Sequence, residues 1–184
     1  AFVGAVCFLA AAGAQIALGA ASGLGGFVRC ILECLCSAWL STMGRCWLSP
    51  NEWKKPFGGL YLAVAGSLLF YWNVLLRFME NSSSWHRVTP TAAVWQALAA
   101  LVFLTALARA LHVPQPGNGK TLCAAGLAAF ALCLCWQLPH VLVLMSGLSW
   151  ATPAVWPEIF AGLGLCCVGS IGGVCAAACL NRQS

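Results

Sequence analysis

Long apolar stretches separated by short polar ones dominate this chain. About 20 apolar residues span the hydrocarbon core of a bilayer, and five stretches reach that length. The first contains Gln15 as its one strongly polar side chain. The pattern predicts an all-α, polytopic integral membrane protein with about five transmembrane helices in a single domain, 1–184. The spans are expected at about 1–28, 57–79, 91–113, 121–150 and 154–180.

Segment 29–48 differs from these stretches because it mixes charged and apolar residues. Arg29 and Glu33 are four residues apart, so they share one face of a helix. Trp39 and Leu40 supply apolar bulk nearby. A helix of this kind lies in the plane of the membrane interface. We therefore predict an interfacial amphipathic helix over 29–48, and a further crossing of the bilayer is the alternative.

The basic residues predict an orientation, because Lys and Arg accumulate on the cytoplasmic side of a membrane. With five spans, seven of the nine basic residues fall on one side and two on the other, Arg77 and Arg87. The N-terminus then lies opposite to the cytosol, matrix or stroma. Asn81 begins an Asn-Ser-Ser sequon on the outer side, which agrees with this orientation. The seven basic residues predicted on the side of the cytosol, matrix or stroma are Arg29, Arg45, Lys54, Lys55, Arg109, Lys120 and Arg182.

The composition supports a membrane environment and excludes several classes of function. Hydrophobic residues make up 61% of the 184 residues and charged residues only 7%, whereas a soluble domain has roughly 25% charged residues. The net charge of +5 is dispersed between apolar segments, so membrane lipids rather than nucleic acid are the expected partners. The predicted location is an integral membrane, with an organelle inner membrane or thylakoid favoured over the plasma membrane or endomembranes.

Small residues recur every four positions in three of the predicted helices. Such rows let helix backbones approach closely, and helices in lipid associate by this kind of packing. The rows predict tight contacts within the chain or with other membrane subunits. They are Gly13, Ala17, Ala21 and Gly25; Gly59, Ala63 and Ser67; and Gly169, Gly173 and Ala177.

Residues suited to catalysis or metal binding do not form a convincing set. The chain has no Asp, and its four Glu lie near predicted helix boundaries. Its twelve cysteines include no C-x-x-C pair, and a thiol inside a span behaves as a small apolar side chain. We predict neither a catalytic site nor a metal site. No predicted span has an acidic residue at its centre, whereas ion-coupled transporters usually need buried ionisable groups.

One group of polar and aromatic residues falls in the outer half of three predicted spans. Aromatic walls with a few amide or imidazole groups suit a flat apolar ligand. The sequence thus predicts a weak candidate site for a lipid, quinone or pigment, although interhelical hydrogen bonds explain the same residues. The group is Tyr71, Trp72, Asn73, Trp95, Gln96, Trp136, Gln137 and His140.

Two classes of function remain open at the level of sequence. Rows of small residues, little extramembrane mass and no catalytic acids favour a non-catalytic accessory subunit of a larger respiratory or photosynthetic membrane complex. The outer aromatic group and the sequon favour a stand-alone carrier, pore or lipid-binding protein. No residue pattern in the chain resembles that of a known family.

Overall fold

The structure is a computed structural model that describes residues 1–19, 23–48, 58–80, 88–113, 115, 117–146 and 152–181. Helices account for 94% of these residues, and no strand occurs among them. A π-helical segment, Phe130–Trp136, joins α5 to α6, and a short 3-10 turn, Pro153–Val155, precedes α7. The helices are α1 Phe2–Ala17, α2 Leu24–Leu48, α3 Gly59–Glu80, α4 Val88–His112, α5 Asn118–Ala129, α6 Gln137–Ser146 and α7 Trp156–Asn181.

Five helical stretches are long and apolar enough to cross a membrane, and α1 is shorter, with 16 residues. The predicted all-α, multi-pass membrane fold with about five such helices is therefore confirmed. Large apolar side chains such as Tyr61 and Leu24 point outward from the bundle. The five helical stretches long and apolar enough to cross a membrane are Leu24–Leu48, Gly59–Arg77, Thr91–His112, Asn118–Ser146 and Pro153–Asn181.

The identity of the first long helix differs from the prediction. Helix α1 ends at Ala17, Gly19 follows with a left-handed φ of +66°, and α2 begins at Leu24. Glycine adopts this conformation without steric cost, so the first helix ends inside the predicted span 1–28. The prediction placed an interfacial helix over 29–48; these residues form most of α2, which is long and apolar enough to cross a membrane and buries Trp39 and Leu40 inside the bundle.

Helices α1 to α5 pack on one another in chain order, and α7 packs on both α5 and α1, so these helices close a ring; α6 packs on α7 and the π-helical segment. Ser37 donates a 2.7 Å hydrogen bond to the Ala5 carbonyl, while the residues in contact between α1 and α7 include Phe8 and Gly164. In both contacts, residues later in α1 meet residues earlier in the partner helix, so α1 is antiparallel to both α2 and α7. This closure gives the bundle an interior that all of the helices face.

The core fills one half of this interior. Its largest fully buried side chains include Trp39, Met43, Phe103 and Leu104. The small residues of α7 are used for packing within the chain: a Cβ on Gly172 would lie 2.8 Å from the Gly126 carbonyl oxygen. Close backbone approach therefore holds α5 against α7.

The three rows of small residues have different surroundings. Gly169 and Gly173 face the chain's own helical segment at Leu134 and Phe130, and Ala63 and Ser67 are buried. By contrast, Gly13 is exposed and has no neighbouring atom near its Cβ position. Ala21 lies outside the described residues, as does the sequon at Asn81.

The two ends of the bundle differ in their charged residues. Arg45, Arg109 and Lys120 lie at the end where α2 and α4 finish and α5 begins, which we call the basic end. Arg29 lies with Arg77 at the opposite end, beside one cavity. The predicted grouping of Arg29 with Arg45 is therefore wrong, because α2 runs the length of the bundle between them. Phe2 contacts Gly44, so α1 starts toward the basic end.

Candidate functional site

The half of the ring opposite the basic end contains a partly open cavity of about 740 Å³. Ligand pockets typically measure about 300–1,000 Å³. The cavity extends from exposed Arg77 and Glu158 near the helix ends to Phe8 and Phe70 deeper in the bundle. Arg77 and Phe70 are seven residues apart on α3, which corresponds to a depth of about 10 Å. We call the exposed side of this cavity its mouth.

The inner side of the cavity is closed by aromatic and aliphatic side chains. The rings of Phe8 and Phe70 meet edge to face, with centroids 6.1 Å apart and planes at 84°. Leu69 and Leu165 complete this floor. Phe8 and Phe70 belong to the same buried core cluster as Trp39, so the core separates the cavity from the basic end.

The side walls carry polar groups from five of the seven helices. Besides Arg29, Glu33 and Arg77, they include amides, one imidazole and one further carboxylate. This polarity is unusual inside a bundle whose outer surface is apolar, because unpaired polar groups in a membrane cost several kcal/mol each. The wall residues are Arg29 and Glu33 on α2, Asn73 and Arg77 on α3, Gln96 on α4, Gln137 and His140 on α6, and Glu158 on α7.

A buried carboxylate, Glu33, anchors one wall of the cavity. The residue is only 1% exposed, and its two oxygens accept hydrogen bonds from Gln15 Nε2 at 2.9 and 3.1 Å. Arg29 Nε donates to Glu33 Oε1 at 3.0 Å, which makes an ion pair within one helix face. The sequence predicted no acid inside a span, and Glu33 corrects that expectation because α2 places it in the bundle interior.

The polar cluster around Glu33 continues into the contact between α1 and α2. The Cys30 thiol donates to Gln15 Oε1 at 3.4 Å, which leaves the amide nitrogen of Gln15 directed at Glu33. A buried charge is tolerated when its hydrogen-bonding capacity is filled in this way. The single strongly polar side chain of α1 thus ties this short helix to the wall of the cavity.

The π-helical segment shapes the opposite wall. Gln96 Nε2 donates to the Leu132 carbonyl at 3.2 Å, and the Cys133 thiol donates to the Gln96 carbonyl at 3.3 Å. Pro139 follows the segment and has no N–H for the preceding turn, so the regular helical ladder is interrupted there. Gln137 and His140 follow this segment and line the cavity.

The structure brings together five of the eight residues of the predicted candidate site. Asn73, Gln96, Trp136, Gln137 and His140 line the cavity. The other three do not line it: Tyr71 and Trp95 are 49% and 60% exposed on the outer surface, and Trp72 is half-buried outside the cavity.

Sequence reasoning missed the charged residues of the cavity, Arg29, Glu33, Arg77 and Glu158. The signal was present, because Arg29 and Glu33 were recognised as a pair on one helix face. Their assignment to the membrane interface placed that pair outside the bundle. Comparisons of the chain with protein families, characterised proteins and solved structures find no match.

Proposed function

We propose that this protein is a stand-alone membrane carrier or receptor that binds a small amphipathic molecule in the cavity. The observation that carries this proposal is the cavity itself, with polar walls, an apolar floor and a mouth at the helix ends. Polar groups fix the orientation of a ligand in such a pocket, and apolar groups supply most of the buried area. Bound lipid or quinone remains compatible with these dimensions.

The accessory-subunit role predicted from sequence has less support from the described contacts. It relied on rows of small residues that would dock onto other subunits. Gly169 and Gly173 on α7 instead contact the chain's own α5 and π-helical segment. The exposed face of α1 at Gly13 keeps such docking as a prediction, as does the organelle or thylakoid location.

The distribution of charge supports an orientation for the cavity. Among the described residues, the basic end carries Arg45, Arg109 and Lys120. Lys54 and Lys55 occur in the sequence between the end of α2 and the start of α3. The positive-inside rule then directs the basic end to the cytosol, matrix or stroma, so that the mouth opens on the other side. In this orientation α1 starts near the inner face, opposite to the sequence-based prediction.

Co-purification tests the proposed function. The protein is extracted in mild detergent, and its native mass and any bound small molecule are determined by mass spectrometry. Ala161→Trp places a large ring in the cavity, whereas Ala128→Trp places it on the exposed face of α5. We expect one bound organic molecule per chain in the wild type and in Ala128→Trp, and none in Ala161→Trp. Migration only in a large assembly, with the cavity empty, contradicts the proposal.

A protease-accessibility experiment tests the orientation separately. An epitope tag inserted between α4 and α5, at residue 115, marks the basic end. A second tag inserted after Asn81 marks the end of α3 that lies at the mouth. In sealed cells or organelles we expect external protease to remove the second tag and spare the first. The reverse pattern contradicts the proposed orientation without bearing on ligand binding.

A further inference from the structure

The guanidinium of Arg29 is bonded to Glu33 through Nε, and its two terminal nitrogens remain available. Its Nε donates to Glu33, and its side chain remains 32% exposed beside the cavity. Within the described part of the chain, its two terminal nitrogens make no hydrogen bond. A guanidinium presents paired N–H groups that match a carboxylate or a phosphate in a bidentate arrangement. Arg29 thus brings N–H groups that are not bonded to Glu33 to the lining of the cavity.

The partners of Arg29 fix its position before any ligand binds. Cys30 orients the amide of Gln15, Gln15 donates twice to Glu33, and Glu33 accepts from Arg29. Since Glu33 is 1% exposed, this chain of bonds is shielded from competing water on its inner side. A pre-organised donor loses less conformational entropy when a ligand binds. Glu33 therefore acts as a positioning residue for the guanidinium.

Hydrogen bonding around Arg29 favours a ligand that accepts hydrogen bonds. Both oxygens of Glu33 already accept hydrogen bonds from Gln15, and one also accepts from Arg29. Arg77 on α3 and His140 on α6 line the same cavity, and among its described lining residues the other carboxylate is Glu158 at the mouth. Helix α4 contributes a neutral amide, and α1 contributes the phenyl ring of the floor. The terminal N–H groups of Arg29 therefore favour an acceptor such as an anionic oxygen in the part of the cavity above the apolar floor.

From this geometry we infer that the ligand is an amphiphile with one anionic head, a carboxylate or a phosphate, bound by the terminal N–H groups of Arg29. Its apolar chain extends toward the floor at Phe8, Phe70 and Leu165. This inference rests on the proposed ligand-binding function and adds the chemical class of the ligand. A free fatty acid and a phosphate-bearing lipid share this chemistry.

Four probes with the same apolar chain and different heads test the inference. Octanoate and octyl phosphate are anionic, octan-1-ol is neutral, and octylammonium is cationic. Their affinities are measured by calorimetry on the full chain in nanodiscs of neutral lipid. A hydrogen-bonded charge pair contributes about 1.5–3 kcal/mol, so we expect one of the anions to bind roughly 10- to 100-fold more tightly than octan-1-ol. We expect octylammonium to bind most weakly, and the better anion identifies the head group.

Substitution of Arg29 separates recognition of the head from the presence of the cavity. We expect Arg29→Gln to remove the preference for the anion while binding of octan-1-ol is retained, which also reports an intact cavity. Arg29→Lys keeps the charge without the planar pair of donors, and we expect it to recover only part of the preference. Arg109→Gln at the basic end is the matched control, with unchanged affinities, because Arg109 lies outside the cavity and bonds to Gln115.

Two negative results have different meanings. If the wild type binds octanoate, octyl phosphate and octan-1-ol equally, or if Arg29→Gln retains the preference for the anion, the inference is wrong. Loss of binding in Ala161→Trp would then still support a ligand-binding cavity. If no probe binds the wild type and no molecule co-purifies with it, the proposed function fails together with the inference.

Discussion

The contact between α5 and α7 provides the most direct test of the fold. A Cβ on Gly126 would lie 2.5 Å from the Gly172 carbonyl oxygen, whereas ordinary van der Waals contact begins at 3.4 Å. Gly126→Ala is therefore short of space by about 0.9 Å, the difference between these two distances. The obstructing atom belongs to backbone inside a helix, so no side-chain rotation relieves the clash. The two helices have to move apart.

That movement has a calculable cost. A gap of about 0.5–1 Å removes a quarter to a half of the dispersion energy of the atoms that face it, and these include fully buried Ala129 and Ala176. Overpacking of a well-packed core costs about 1–3 kcal/mol. Replacing a helical glycine by alanine returns up to about 1 kcal/mol. With the full gain from alanine, the difference is a net loss of up to about 2 kcal/mol for Gly126→Ala.

Unfolding by titration of the detergent-solubilised protein with SDS, followed by circular dichroism, measures this loss. Gly13→Ala is the matched control, because Gly13 is also inside a helix but is exposed and has nothing within 4 Å of the added methyl group. We expect it to be neutral or stabilising by up to about 1 kcal/mol. If Gly126→Ala unfolds at the same SDS fraction as Gly13→Ala, or at a higher one, the two helix backbones are not in direct contact as described.

Three further predictions concern other contacts. Gly173→Ala should cost less than Gly126→Ala in the same SDS titration, because the obstructing atom belongs to the exposed ring of Phe130, which can turn outward; an equal cost would contradict this. Gln15→Leu should lower stability by about 1.5–3 kcal/mol, since the buried carboxylate loses both bonds to the amide, and an unchanged midpoint would refute this role. Cys167 on α7 packs against Gly4 of α1, and Cys7 lies one helical turn from Gly4 on α1, so a mild thiol oxidant should link Cys7 to Cys167, as peptide mapping by mass spectrometry would detect; a linkage that never forms would show these thiols to be apart.

The helical membrane architecture was predictable because length and hydropathy determine it, whereas the first helix boundary was not. Residues 18–26 are as apolar or small as the residues before them, so hydropathy has no minimum at the turn. The turn depends on the backbone conformation at Gly19, which composition does not reveal. Once that boundary was misplaced, Arg29 and Glu33 were assigned to the interface instead of the interior.

The sequence predicted which half of the membrane holds the candidate residues, but not which of their side chains face the interior of the bundle. Asn73, Gln96 and His140 were expected in the same half of the membrane, and they line one cavity. Adjacent residues of a helix point in directions about 100° apart, so Trp95 faces outward where Gln96 faces inward. The choice between neighbouring positions depends on which helix packs on which, and the chain's periodicity does not contain that information.

The closure of the ring by α1 and α7 has a consequence for synthesis in the membrane. Helices enter the bilayer in chain order, so the surface of α1 that will receive Gly164 and Cys167 has no partner until α7 arrives. During that interval the hydrogen bonds between Gln15 and Glu33 keep α1 paired with α2. The cavity can acquire its complete wall only when the last described helix is inserted. Formation of the complete cavity is therefore a late event in biogenesis, and a chain truncated before α7 would leave the ring open to the lipid.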